Sequence, residues 1–147
     1  MKEPKIQDQL YIAPVNGKVK CGKTHNCYSR FGGSQYNMGA SNNYPAFVYF
    51  AVPSIVFPID RLEVLYEREF CEFLLPSPKN QKKLTEYINP KHKNITVNTV
   101  RDAIETFIKD EKLPVMRLKN EFIMTCVLDK EFVQKVRDNP SKYLEKV

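Results

Sequence analysis

The residues best suited to chemistry begin with the string Gly17-Lys-Val-Lys-Cys-Gly22-Lys23-Thr24, which fits the phosphate-loop pattern GxxxxGK[ST] at every position. In that motif backbone N–H groups cradle phosphates, the lysine neutralises them and the hydroxyl holds magnesium. Gly17, Gly22, Lys23 and Thr24 would then bind a nucleotide. The motif also needs a strand before it and a helix after it. Leu10 to Val15 supplies the strand, but Thr24 to Gly33 carries no helical stripe and two glycines. No later apolar strand ends in an aspartate suited to magnesium. The string reads better as a basic, glycine-punctuated loop.

Cys21, His25 and Cys27 form a second group. Thiolate and imidazole suit zinc, yet C-x3-H-x-C is not a usual structural spacing, and the fourth ligand would have to come from Cys71, His92 or Cys126. An exposed loop histidine is the simpler expectation, and no metal or other cofactor is expected. Glu67, Glu69 and Glu72 form a third group among aromatic residues. On a helix Glu69 would fall among Leu62, Leu65, Tyr66 and Phe73, where a carboxylate has a raised pKa and can move protons. Most such residues instead sit at a rim, and Arg68 with Glu72 is an ordinary i,i+4 pair. With His25 and His92 the only histidines, no nucleophile–base pair is visible and no catalytic residue is assigned.

The element order of the C-terminal half is more informative. Ser77-Pro78 opens a short helix from Lys79 to Ile88. Thr96 caps the clearest helix, whose stripe is Val97, Val100, Ile104, Phe107 and Ile108. Ile95 can staple to Val100 across that cap. Val115 to Leu118 and Phe122 to Leu128 then read as two strands joined at Lys119-Asn120. Helix, helix, hairpin resembles a winged helix over residues 78–128, carried by Leu84-Thr85-Glu86, Thr99-Val100-Arg101-Asp102-Ala103-Ile104 and Arg117-Leu118-Lys119-Asn120-Glu121-Phe122. The resemblance implies Asn98, Thr99 and Arg101 near bases. It implies Lys79, Lys82, Lys83, Lys91, Lys93, Arg117 and Lys119 near phosphate.

The frame around these groups is one domain of 147 residues, with 42% apolar and 12% aromatic residues. That is enough to bury a core and excludes a disordered chain. The net charge of +6 is uneven. Gln9 to Ile59 holds no acid, only Lys18, Lys20, Lys23 and Arg30 as strong cations. Arg61 to Leu75 is acidic, and Pro76 to Asn98 is lysine-rich. Such clustering can meet phosphate or simply keep the chain in solution. No apolar run approaches the roughly 20 residues that span a bilayer, and the first residues lack the pattern of a signal peptide. A cytoplasmic location with no membrane partner is the expectation. The four cysteines read as free thiols.

Around the C-terminal half, Ala46 to Phe57 reads as two short strands or an edge strand, since Pro53 interrupts it. Arg61 to Leu75 reads as a helix started by an Asp60–Glu63 capping box. Residues 16–45 read as a long Gly/Asn/Tyr-rich connection that has a job or hides strands. Asp129 caps a helix with Phe132, Val133 and Val136, and Asn139-Pro140 restarts a last turn.

The expectation is an α+β fold, one domain over 1–147. A β-rich part (1–60) packs on a helix-rich part (61–147) carrying a hairpin at 115–128. The expected work is non-enzymatic nucleic-acid binding through a basic surface. The rival is a structural or protein-interaction subunit of a viral, phage or other assembly, with a homo-oligomer as one form of it, which Tyr11, Tyr28, Phe31, Tyr36 and Tyr44 would suit.

Overall fold

The computed structural model describes residues 5–15, 17–32, 44–73, 88–90 and 95–147. The chain starts with an antiparallel hairpin, β1 (Gln9–Val15) and β2 (Lys18–Thr24), turned at Gly17 with φ +76°. One π-helical turn (Tyr28–Gly32) follows, then β3 (Phe47–Ala51) and α1 (Phe57–Phe70). Two short strands, β4 (Cys71–Phe73) and β5 (Ile88–Pro90), pair with each other. Next come α2 (Val97–Glu111), β6 (Val115–Leu118), a 3-10 turn (Asn120–Phe122) and α3 (Ile123–Leu128). The chain ends in α4 (Phe132–Asp138), α5 (Pro140–Tyr143) and β7 (Leu144–Glu145).

The fold is α+β. Its centre is a five-stranded antiparallel sheet in the order β2-β1-β3-β6-β7. Strands from both halves of the sequence therefore share one sheet. Helices cover both of its faces, which explains why Leu10, Tyr11, Ile12 and Ala13 are all fully buried in one strand. The alternation of side chains sorts them. Leu10, Ile12, Cys21, Tyr49 and Val115 meet Ile59, Leu62 and Leu65 of α1 and Val100, Ile104 and Ile108 of α2. Tyr11, Ala13, Val48, Phe50 and Leu118 meet Phe31, α3 and α4 on the other face. Each fully buried aliphatic side chain contributes about 1.5–3 kcal/mol relative to exposure.

The helix α2 runs over the expected residues. Thr96 Oγ1 accepts the Thr99 N–H as the cap, and Lys112 at φ 52° closes the helix. Three expectations are corrected. The strand expected over Phe122 to Leu128 is the 3-10 turn followed by α3, so no hairpin forms over 115–128. Ile123, Cys126 and Val127 lie at i, i+3 and i+4 and bury one helical face against the sheet, while β6 finds its partners in β3 and β7. The segment at Pro53 is no edge: β3 stands between β1 and β6. Finally, α1 starts four residues before Arg61, because Pro58 fits the first helical turn and Asp60 is engaged elsewhere.

Two polar clamps tie the layers together. Asp8 is fully buried and accepts from Arg137 Nε at 3.0 Å and Nη2 at 2.8 Å, from Ser54 Oγ at 2.6 Å and from Gln9 Nε2 at 2.6 Å. Glu105 of α2 accepts from Tyr49 Oη at 2.8 Å and from Arg117, whose Nε also reaches Glu145 at 3.1 Å.

Candidate functional site

Of the expected contact residues, the structure describes Asn98, Thr99, Arg101, Arg117 and Lys119. Asn98 and Thr99 are exposed in the first turn of α2. Arg101 lies over the Phe47 ring at 5.1 Å and pairs with Asp102 at 2.9 Å. Arg117 is spent on Glu105 and Glu145 in the clamp just described. Lys119 Nζ donates to the Lys142 carbonyl at 3.2 Å. Lys79, Lys82, Lys83, Lys91 and Lys93, with the helix expected around the first three, lie outside the described residues.

The Gly17–Thr24 string is the turn and second strand of a β-hairpin, not a loop opening a helix. Its backbone N–H groups cannot converge on one phosphate, because they alternate between the β1 ladder and the free edge. Cys21 and Cys27 fall in opposite cores and cannot share an ion. Burial pushes the Cys21 thiol up, and a hydrogen bond with Cys126, then burial, does the same for Cys27. Among the described residues no three metal-ligating side chains gather. Glu69 is exposed, 3.5 Å from Arg68, and lines an open cleft between α1 and α2 with Leu65, Phe70 and Phe107.

A different cluster forms along the outer side of β2, the first strand of the sheet. Helix α1 covers that edge: Tyr66 Oη donates to the Val19 carbonyl at 2.6 Å, and the Lys23 N–H donates to Glu63 Oε2 at 3.2 Å. The Lys23 ammonium meets Asp60 Oδ1 at 2.6 Å, and this hydrogen bond raises its pKa. Lys20 stands on the same edge near Arg30 and Glu63, and burial, then Arg30, lowers its pKa. The Arg30 guanidinium sits 5.8 Å from the centre of the Tyr11 ring.

Tyr11 is the unusual member. It lies across Gly22 on the neighbouring strand, so close that a Cβ there would stand 2.7 Å from its hydroxyl. That hydroxyl is sealed from water and has no hydrogen-bond partner. Burial raises its pKa to about 12, although Arg30 pulls it down. A buried hydroxyl without a partner costs about 1–3 kcal/mol. Such a cost retained beside the charges of Arg30 and Glu63 marks a site candidate.

Glu67, one turn beyond Glu63, completes the cluster. Burial, then the Glu63 charge, raises its carboxyl above the ordinary range. The fold therefore favours its protonated form, and a penalty on the native state develops as pH rises through the raised value. Glu67→Gln should stabilise at neutral pH and be silent at acid pH, by no more than about 0.5 kcal/mol for a group so open to water. Urea melts at the two pH values check this, and an equal effect at both would refute the electrostatic cause.

The sequence carried one signal for this cluster, the acid-free segment holding Lys18, Lys20, Lys23 and Arg30. No known family, curated protein or solved structure gives a significant match to the chain.

Proposed function

We propose that this protein binds nucleic acid, seating a backbone phosphate beside β2 between Lys20, Arg30 and the Tyr11 hydroxyl. The observation that carries the reading is the sealed Tyr11 hydroxyl, an unused donor set beneath a guanidinium and beside a lysine. A phosphate oxygen is an acceptor that such donors suit. The sequence feature that supports the reading is the acid-free run from Gln9 to Ile59, which holds Lys18, Lys20, Lys23 and Arg30.

The test is fluorescence anisotropy of a labelled oligonucleotide as salt is raised. Each lost phosphate contact flattens the log–log slope by about 1, so Lys20→Ala with Arg30→Ala should flatten it by about 2. Absence of binding at low salt would remove the proposal.

A further inference from the structure

The thiols of Cys27 and Cys126 take no part in the proposed phosphate seat, yet they meet in the core. Both side chains are fully buried on the face of the sheet that carries Tyr11 and Phe31. They are unbridged and hydrogen-bonded to each other. Buried cysteines ordinarily act as small apolar side chains. The surroundings of this pair are more specific than that role requires.

Cys27 stands just before the π-helical turn Tyr28–Gly32, and Cys126 lies within α3. The two segments are clamped together on either side of the sulfurs. Ahead of Cys27, Asn26 Nδ2 donates to the Lys130 carbonyl at 2.9 Å, and Asn26 Oδ1 accepts the Tyr28 N–H at 2.9 Å. At the far end of the turn, Gly32 is pressed so close to α3 that a Cβ there would stand 2.1 Å from the Val127 carbonyl oxygen. The other two cysteines, Cys21 and Cys71, belong to the core on the opposite face of the sheet, where Cys71 is hydrogen-bonded to Tyr66. The sheet therefore keeps the two pairs apart, and each thiol of the Cys27–Cys126 pair has one sulfur to meet. A bridge would close that contact to about 2.05 Å.

We infer that Cys27 and Cys126 are a disulfide pair, bridged when the chain folds in an oxidising medium and left as thiols in a reducing one. The oxidant is a low-molecular-weight disulfide. One cysteine attacks it as thiolate and releases a small thiol. The second cysteine, also as thiolate, attacks the mixed disulfide and releases the other small thiol. One small disulfide and two protein thiols become one protein disulfide and two small thiols. Burial hinders both steps in the folded protein, because the thiolate is the attacking species and an apolar core disfavours it. The bridge is therefore set during folding, and the same burial shields it from reductants afterwards. It closes a loop of about 100 residues and fastens the turn that bears Arg30 to α3.

The test unfolds the protein in urea and refolds it in a buffer of oxidised and reduced glutathione, and in parallel in dithiothreitol. Remaining thiols are alkylated in denaturant and counted by mass spectrometry, and bridged peptides are mapped. All four cysteines should take the label after dithiothreitol. Only Cys21 and Cys71 should take it after glutathione. The bridged protein should melt about 5–15 °C above the reduced form, as a cross-link closing so long a loop would give in a chain of this size. Reduced protein placed in the glutathione buffer while folded should bridge more slowly than protein refolded there. For Cys126→Ser the two media should give the same melting point, whatever the substitution itself costs.

Four labelled cysteines after refolding in glutathione overturn the inference. So does a bridge between any other two cysteines, or a lasting adduct with glutathione. A bridged form that melts no higher than the reduced one also overturns it, since the fold would then not be built to hold the bond.

Discussion

Asp8→Ala is expected to cost about 3 kcal/mol of folding stability, at the lower end of what breaking a buried ion pair costs. Asp8 is wholly buried and collects four hydrogen bonds from three residues. Removing it strands the Arg137 guanidinium without a counter-charge. That side chain retains 28% of its exposure, so water recovers part of the loss. The pair also joins the residue just before β1 to α4 across 129 residues of chain, so it fixes how the last third docks on the sheet. Against a typical total of about 5–15 kcal/mol, a loss of this size is large. Urea unfolding by circular dichroism should show a lower midpoint with an unchanged slope. Adding Arg137→Met to Asp8→Ala should restore part of the stability, because the orphaned charge is then gone. A loss below about 0.5 kcal/mol for Asp8→Ala would mean the clamp contributes specificity of docking and not stability.

The same dependence on long-range contacts separates what could be read in the chain from what could not. Helix α2 was legible because its signals are local. Thr96 caps it, and Val100, Ile104 and Ile108 recur at helical spacing. Strand β1 was legible as an apolar run for the same reason. The segment Ile123–Leu128 was not, because Ile, Thr, Cys and Val favour strands in isolation, and only the sheet face formed by Tyr11, Val48, Phe50 and Leu118 decides for a helix. Strand β2 hid within a glycine-, asparagine- and lysine-rich stretch, since Lys18 and Lys20 lie at an exposed sheet edge, where lysine serves to deter further pairing. The candidate site divides along the same line. Its basic half, Lys20, Lys23 and Arg30, stands out as an acid-free segment. Its acidic half does not, because Asp60 and Glu63 imitate a capping box, whereas the structure turns them onto Lys23. Tyr11 reads as one of the aromatics suited to a protein interface, whereas it is fully buried with Gly22 beneath it.

Tyr11→Phe should separate stability from function in opposite directions. The hydroxyl is buried and unpaired in the folded protein but hydrogen-bonded to water in the unfolded chain. Its removal spares the native state that desolvation, so the variant should be more stable by about 1 kcal/mol in chemical denaturation. The ring remains against Phe31, whose centre is 4.9 Å away in an edge-on contact, so the core is not opened. At the phosphate seat the same change deletes a donor. Oligonucleotide affinity should fall about 5- to 10-fold, the worth of a hydrogen bond to a charged group in a partly wet site. Gly22→Ala provides the complementary test. Its Cβ would stand 2.7 Å from the Tyr11 hydroxyl and 3.0 Å from Cζ, so the ring must shift, at a cost of about 1–3 kcal/mol. Tyr11→Phe in that background should recover part of the loss, because the closest of these contacts disappears with the hydroxyl. A Tyr11→Phe variant that is less stable than the parent would show that the hydroxyl finds a partner in solution, and the argument for an unspent donor at the β2 edge would then fail. A variant that is more stable and binds nucleic acid as tightly would instead make the buried hydroxyl a cost of the fold with no part in recognition.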